Sequence, residues 1–298
     1  MKPAPRPPVV PWRRARNADK ALVERILLAD RATSMLALDN LREHGLDGLA
    51  PRALHVWLNP DETGLVALTN NGTLLPQCPR LRPGDGLGLR LALAGSVIRA
   101  VIGPDAQLRG MIKALGLDHA VLHSYRRQPG FALPLAALKM PDTAGLELRR
   151  THVNDRPLMR GWRAAYLVEV RGLPLRAATD QAAGDVDGFL ASRQFRILMQ
   201  GARAVAMTGL TARHGDTVQV GGVFTPPECR RRGLARAAVA LHLAEARDQG
   251  VTQAVLFAAS EPAARAYRAL GFRPASAMGL AFFRADQTVD PPPEDHPR

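Results

Sequence analysis

One stretch of this 298-residue sequence combines residue types that could hold an anion. An apolar run, Val218 to Thr225, ends at Pro226-Pro227, and Arg230, Arg231 and Arg232 follow. Gly233 comes next. From Leu234 an apolar helical repeat (Leu234, Ala237, Leu241, Ala244) predicts a helix to about Gln249, with Gly250 as its stop. A helix start presents unpaired N–H groups and a partial positive charge. A glycine there lets an anion approach the backbone, and the arginines add formal charge. Strand, basic loop, glycine and helix start therefore suit a pyrophosphate. They also suit an ordinary strand-to-helix connection carrying a solvated charge run. Two nucleotide-binding patterns are excluded: no Gly-Lys-Ser/Thr ending follows the loop, and no GxGxxG stands at a strand-to-helix turn.

The stretch resembles the acyl-coenzyme-A loop of the GNAT superfamily of N-acetyltransferases. Arg230-Arg231-Arg232-Gly233-Leu234-Ala235 fits the family pattern Gln/Arg-x-x-Gly-x-Gly/Ala, and Gly221-Gly222-Val223-Phe224-Thr225-Pro226-Pro227-Glu228 looks like the strand entering that loop. A second segment, Ser260 to Phe272, is similar to the family's Asn-x-x-Ala-x-x-Leu-Tyr-x-x-x-Gly-Phe. It keeps Ala263, Tyr267, Gly271 and Phe272, with Ser260 for Asn and Ala266 for Leu. The resemblance spans about residues 145–285 and implies acetyl-CoA as cosubstrate and an amine acceptor. It implies that Val223, Phe224 and Thr225 run beside the pantetheine arm. It further implies that Arg230, Arg231, Arg232, Gly233, Leu234, Ala235 and Arg236 surround the pyrophosphate. Ser260 would touch the cofactor arm or cap its helix. Tyr267 would protonate the departing thiolate; it also reads as a core aromatic ahead of a helix stop at Gly271. No general base is assigned. The central strands contain no Glu, His214 and Asp216 read as turn residues, and Glu228 reads as solvated. Cys229 reads as a buried structural thiol, and no metal-ligand cluster is expected.

These motifs need elements to position them. Apolar periodicity predicts a helix from about Asp19 to His44, then strands at 53–59, 64–70 and 72–77, with a tight turn at Asn70-Asn71-Gly72. A helix at 86–94, a strand at 96–103, a helix at 105–116 and a strand at 119–126 follow. A Pro-containing connection then runs from Pro129 to Pro141. The second block begins with a strand at 146–151, a helix from Asn154-Asp155 through about Val168, and a helix at 184–194. Strands at 195–200, 203–211 and 216–225 form an expected antiparallel meander. The long helix, a strand at 253–259, a helix at 261–270 and a hairpin-like 271–283 complete it. The fold class is α/β (α+β): a GNAT fold with a central, mostly antiparallel mixed sheet flanked by helices, preceded by an N-terminal α/β domain of GNAT-like element order. The expected divisions are a flexible basic arm (1–17), the N-terminal domain (18–143), the acetyltransferase domain (144–285) and a disordered acidic Pro-rich tail (286–298). Residues 101–110 read as a degenerate form of the acyl-CoA strand, loop and helix. There Pro104-Asp105 replaces the arginines, so the N-terminal half is expected to be non-catalytic.

Composition narrows the function. Hydrophobic residues make up 46% and charged residues 22%, as in ordinary globular chains. The two cysteines, Cys78 and Cys229, belong to no CxxC pair, which excludes a disulfide scaffold. No apolar run reaches the ~20 residues of a membrane helix. The N-terminus has prolines where a signal peptide needs an apolar stretch, so the expected location is cytoplasmic. The net charge of +13 fits a polyanion partner, or a compositional bias in which only four of 40 cations are lysine. Aromatics at 5% offer few base-stacking platforms, so nucleic acid is not the expected partner. The reading is an acetyl-CoA-dependent N-acyltransferase acting in a ternary complex. A non-catalytic acyl-CoA sensor and a basic nucleic-acid-binding protein are the alternatives.

Overall fold

The computed structural model describes residues 9–82 and 84–292. It divides into two units. Residues up to Gln128 and from Ser276 form the first, and Pro129–Ala275 the second.

The first unit opens with β1 (Arg13–Arg14), α1 (Lys20–Leu28), α2 (Arg31–His44), β2 (Leu54–Leu58), β3 (Leu65–Thr69) and β4 (Thr73–Gln77). It continues through α3 (Asp85–Leu93), β5 (Val97–Pro104) and α4 (Asp105–Ala114). The expected single helix of 19–44 is two helices, because Asp30 breaks it with φ −130° and ψ 75°. Asp favours helix ends, where its side chain competes with the ladder. Val23, Ile26 and Leu27 bury one stripe of α1, and Met35, Leu38 and Leu41 one of α2.

The second unit takes the C-terminal part of β6 (Leu122–Pro134), then β7 (Leu146–Arg150), α5 (Arg156–Tyr166), α6 (Leu175–Ser192), β8 (Phe195–Gln200), β9 (Arg203–His214), β10 (Thr217–Phe224), α7 (Leu234–Asp248), β11 (Gln253–Phe257) and α8 (Glu261–Ala269). The meander β8–β9–β10 is antiparallel, as expected. β10 and β11 are parallel, joined by α7. The side chains of α7 (Ala237, Val239, Leu243 and Ala246) are buried against β8–β11 residues such as Leu198, Val218 and Leu256. Each such leucine or valine contributes about 1.5–3 kcal/mol on burial.

The last strand, β12 (Arg273–Thr288), is not a hairpin but one continuous strand. Its Gly279 makes no turn. A Cβ there would meet Leu108 Cδ2 at 2.6 Å, so the glycine serves close packing. From Met278 onward β12 pairs antiparallel with β5 and completes the first unit. The second unit is completed likewise by an earlier strand, since residues 130–134 of β6 pair with β11. The strands of the two units follow the same plan: β1-β2-β3-β4-β5-β12 and β7-β8-β9-β10-β11-β6. In both, the first four strands are antiparallel neighbours, the fourth and fifth are parallel, and the sixth is antiparallel to the fifth.

Three expected boundaries move. The second unit starts at Pro129, not 144, because Pro129 and Pro134 lie within β6; proline lacks a donor, but the Pro129 carbonyl still accepts from Ala258 N at 3.0 Å. The described part of the expected basic arm is packed. Trp12 is buried with Nε1 donating to the Asp85 carbonyl at 3.1 Å, Arg13–Arg14 pair with β2, and Arg14 stacks 4.4 Å from the centroid of Trp57. Of the expected tail, residues to Thr288 remain in β12, and Val289 is fully buried. Residues 1–8 and 293–298 lie outside the described residues. No helix of the described residues is long and apolar enough to cross a membrane.

His242 on α7 is buried beside the Arg196–Glu245 pair, whose hydrogen bonds are 2.6 and 2.8 Å. Desolvation, reinforced by Arg196 and opposed by Glu245, pushes the imidazole down to about 4. The fold thus keeps His242 neutral, whereas the unfolded chain takes up a proton near pH 6.5. The stability that depends on this is complete above about pH 6.5 and is lost as the pH falls toward 4, by roughly 3 kcal/mol at most. Thermal melts of wild type and His242→Gln across pH 4–7 should show a smaller pH dependence in the variant.

Candidate functional site

The site begins where two parallel strands part. β10 pairs with β11 from Thr217–Gln253 to Val220–Leu256 and no further. On the β9 side the register shifts between Gly221 and Phe224, with Gly222 at φ +60°. This bulge requires glycine: a Cβ on Gly222 would lie 2.6 Å from the Phe195 ring, and one on Gly221 2.7 Å from Thr211 Cγ2. Phe195 is itself fixed by stacking on Phe189 at 3.9 Å. A bulge bends its strand and re-aims the backbone beyond it. The parted strands border a cavity of about 760 Å³. Its walls are residues 220–225, the loop and helix start at 229–231 and 233–236, Phe257, Ala259, Ser260, Pro262 and Ala263 with Ala266 and Tyr267, and Tyr166, Glu169 and Val170.

The loop is tied at its beginning by Cys229 N donating to the Pro226 carbonyl at 2.8 Å. Arg231 (φ +61°) and Gly233 (φ +76°) then take left-handed conformations. From Arg231 to Arg236 the backbone N–H groups meet no acceptor among the described residues; the first helical bond is Ala237 N to the Gly233 carbonyl at 3.0 Å. No side chain caps α7. By contrast, Ser260 caps α8, accepting from Ala263 N at 3.4 Å. Thr225 Oγ1 and Arg236 Nε, also at the cavity, are buried without a partner among the described residues. Donors without acceptors, uncancelled positive dipole and arginine together fit a diphosphate.

Of the residues singled out by sequence, Val223, Phe224, Thr225, Arg230, Arg231, Gly233, Leu234, Ala235, Arg236, Ser260 and Tyr267 line this one cavity. Arg232 does not; its guanidinium donates to Gln200 Oε1 at 2.7 Å. A run of three arginines cannot face one way, and only the fold shows which turns aside. Arg230 lines the cavity yet is engaged, with Nη2 on both Glu169 oxygens at 2.8 and 2.9 Å and Nε on the Thr225 carbonyl at 3.0 Å. Tyr267 is 8% exposed, edge-on to Phe272 at 6.1 Å. Burial, with Tyr166 nearby, raises its phenol well above the ordinary value of 10. His214, Asp216 and Glu228 stand outside the cavity lining. The Asp216 carbonyl accepts from Thr252 N and its carboxylate from the Thr252 hydroxyl, while Glu228 lies 3.7 Å from Arg203. Cys229 is buried and lines the cavity. The sequence reading missed Tyr166 and Glu169. It runs the helix on to Val168, whereas α5 passes into a π-helical turn, Leu167–Arg171, closed by Gly172 at φ +69°. Arg171-Gly172 was the available signal for that stop; the register change before it has none.

Comparison with known proteins follows the same geometry. Residues 162–272 match the model of the Acetyltransferase (GNAT) family. That stretch is similar to a GNAT acetyltransferase domain. A GCN5-related N-acetyltransferase from Kribbella flavida is similar in structure (18% identity, 86% of this chain and 95% of that one, TM-score 0.54). So is one from Sphaerobacter thermophilus (17%, 96% and 97%, TM-score 0.54). A tandem GNAT protein from the clavulanic acid biosynthesis pathway aligns over 93% of this chain and 96% of its own (17%, TM-score 0.55). At these identities they establish the fold, which extends over both units. No curated protein matches the sequence.

The shared strand plan corrects one expectation. In the second unit the basic loop joins the fourth strand to the following helix. Its counterpart in the first unit is the β4–α3 connection, not residues 101–110. There Leu81-Arg82-Pro83-Gly84-Asp85-Gly86 keeps the small-residue spacing of the GNAT loop but has Leu81 for Arg230. The first unit's own side chains occupy the position. β4 and β5 part after Leu74 and Val101, but Pro76 packs on Gly103, and Gln107 Oε1 accepts from Cys78 N at 2.7 Å. The Asp85 carboxylate at the start of α3 accepts from Arg82 N at 2.8 Å. Ile112-Lys113-Ala114-Leu115-Gly116-Leu117 parallels Tyr267-Arg268-Ala269-Leu270-Gly271-Phe272, so an isoleucine stands in the place of the tyrosine.

Gly222→Val should destabilise the second unit by about 1–3 kcal/mol from the left-handed backbone alone, with the Phe195 collision in addition. A lowered midpoint in thermal denaturation tests this, and an unchanged midpoint would mean that the bulge tolerates a side chain.

Proposed function

We propose that the protein transfers an acetyl group from acetyl-CoA to an amine by direct attack within a ternary complex. The observation that carries this is the run of six backbone N–H groups, Arg231 to Arg236, left without acceptors at the edge of a cavity between parted strands. The N–H groups from Arg231 to Ala235 hold the pyrophosphate, with Arg236 adding charge. Val223 and Thr225 offer backbone partners to the pantetheine arm, because β10 has lost β11 as a neighbour there. Backbone amides at the bulge polarise the thioester carbonyl. Tyr267 protonates the departing thiolate. Its phenol, already protonated at neutral pH at its ordinary value of 10 and raised further by burial, holds the proton that a general acid donates. The first unit, with its loop position self-filled and Ile112 in place of tyrosine, binds no acyl-CoA.

Coenzyme A release with a library of amines tests the activity. Tyr267→Phe should lower kcat by roughly 100-fold with little change in the KM for acetyl-CoA. An unchanged kcat would remove the acid role. Acetyl-CoA binding with no release from any amine would make the protein an acyl-CoA sensor, and salt-dependent binding to random DNA would favour the nucleic-acid alternative. Calorimetry should give one acetyl-CoA per chain and no binding by Gly233→Asp, whose carboxylate would stand beside the pyrophosphate; undiminished affinity would overturn the loop assignment.

A further inference from the structure

Arg230 has three engagements within a single cavity. Its Nη2 bonds both oxygens of Glu169, its Nε donates to the Thr225 carbonyl, and its guanidinium carbon lies 5.8 Å from the Phe224 ring centroid. Glu169 is the only carboxylate among the described residues lining the cavity, and it sits on the π-helical turn that follows α5. Such turns are rare and recur at functional positions.

Two of these contacts conflict with the proposed ligand. The Nη2 donors that engage the Glu169 carboxylate are donors that a diphosphate would take. The Thr225 carbonyl is a backbone acceptor that an extended arm beside β10 needs, and Arg230 already covers it. Both partners of the ion pair are about two-fifths exposed, 41% and 42%, so water screens the pair and exchanging it is inexpensive. The pair is therefore strong enough to place Arg230 and weak enough to be displaced.

Resting on the acyl-CoA reading of the cavity, we propose that Glu169 is a positioning residue that latches Arg230 across the site. Acyl-CoA binds by drawing Arg230 from Glu169 and Thr225 to its phosphates, so the latch opposes binding until the diphosphate is present. Arg230 then adds charge to the N–H cradle, and the Thr225 carbonyl becomes available to the pantetheine arm. Breaking the latch in advance removes a competitor for Arg230.

The test is calorimetric titration with coenzyme A of wild type, Glu169→Gln, Glu169→Asp, Arg230→Gln and the Glu169→Gln/Arg230→Gln double variant. Glu169→Gln should bind three- to tenfold more tightly than wild type, and Glu169→Asp, which keeps the charge, should return toward wild type. The gain should vanish in the Arg230→Gln background, since a latch acts only through its partner. A merely structural tie predicts the reverse, with Glu169→Gln loosening the loop and weakening binding. Equal or weaker affinity in Glu169→Gln, or a gain that persists without Arg230, overturns the latch alone. Failure of wild type to bind coenzyme A at all overturns the cavity's assignment and the latch with it.

Discussion

Beyond Val220 and Leu256 two parallel strands cease to bond to one another, and the cavity of the second unit depends on that divergence. A parallel pair that separates leaves one row of backbone groups without partners, which is costly unless something else satisfies them. Here the bulge at Gly222 turns β10 away, Phe195 and Phe189 hold the bulge from behind, and α7 starts with its N–H groups aimed into the gap. A polar ligand of extended shape answers both needs. The first unit repeats the divergence between β4 and β5 and answers it from within, with Pro76, Gln107 and Asp85. One strand plan thus gives an open site in one unit and a closed one in the other.

The excess of arginine has a structural explanation as well as a compositional one. Bidentate guanidinium contacts recur through the chain: Arg149 with Asp155 at 2.7 and 2.8 Å, Arg99 with Asp286 at 2.9 and 3.0 Å, and Arg196 with Glu245 at 2.6 and 2.8 Å. Arginine suits this work because its planar fork matches a carboxylate. Even the loop cluster is divided. Arg230 reaches Glu169, Arg231 borders the cavity and Arg232 reaches Gln200. The charge available to a ligand at the site is smaller than three adjacent arginines suggest.

Local pattern made much of the architecture legible. The meander, α7 with its Gly250 stop, and the turn at Gly72 follow from alternation, helical spacing and glycine placement. Failures came where tertiary packing overrode local chemistry. Pro129 and Pro134 read as a linker but lie in a strand, because their carbonyls suffice for pairing. Residues 271–283 read as a hairpin but lie in one strand, where Gly279 permits close approach of Leu108 and Asp105. Trp12 and Val289 lie in Pro-rich segments with many charged residues, and averaging over composition hides them.

The sequence by itself marked the loop and its neighbourhood: a basic run and a glycine at a helix start are local signals of an anion site, and the resemblance of two motifs to the GNAT superfamily singles out Arg230 to Arg236, Val223 to Thr225, Ser260 and Tyr267. Only the tertiary structure decided that these segments, some forty residues apart in the chain, border one cavity, that Arg232 turns away, and that Glu169 closes on Arg230. It also decided that the sixth strand of the first unit comes from the far end of the chain, and that of the second from ahead of its other strands. The reason is physical. Helix starts and turns are governed by neighbours within a few residues, whereas strand pairing, side-chain direction in a charge run and ion pairs between elements depend on partners that no local window contains.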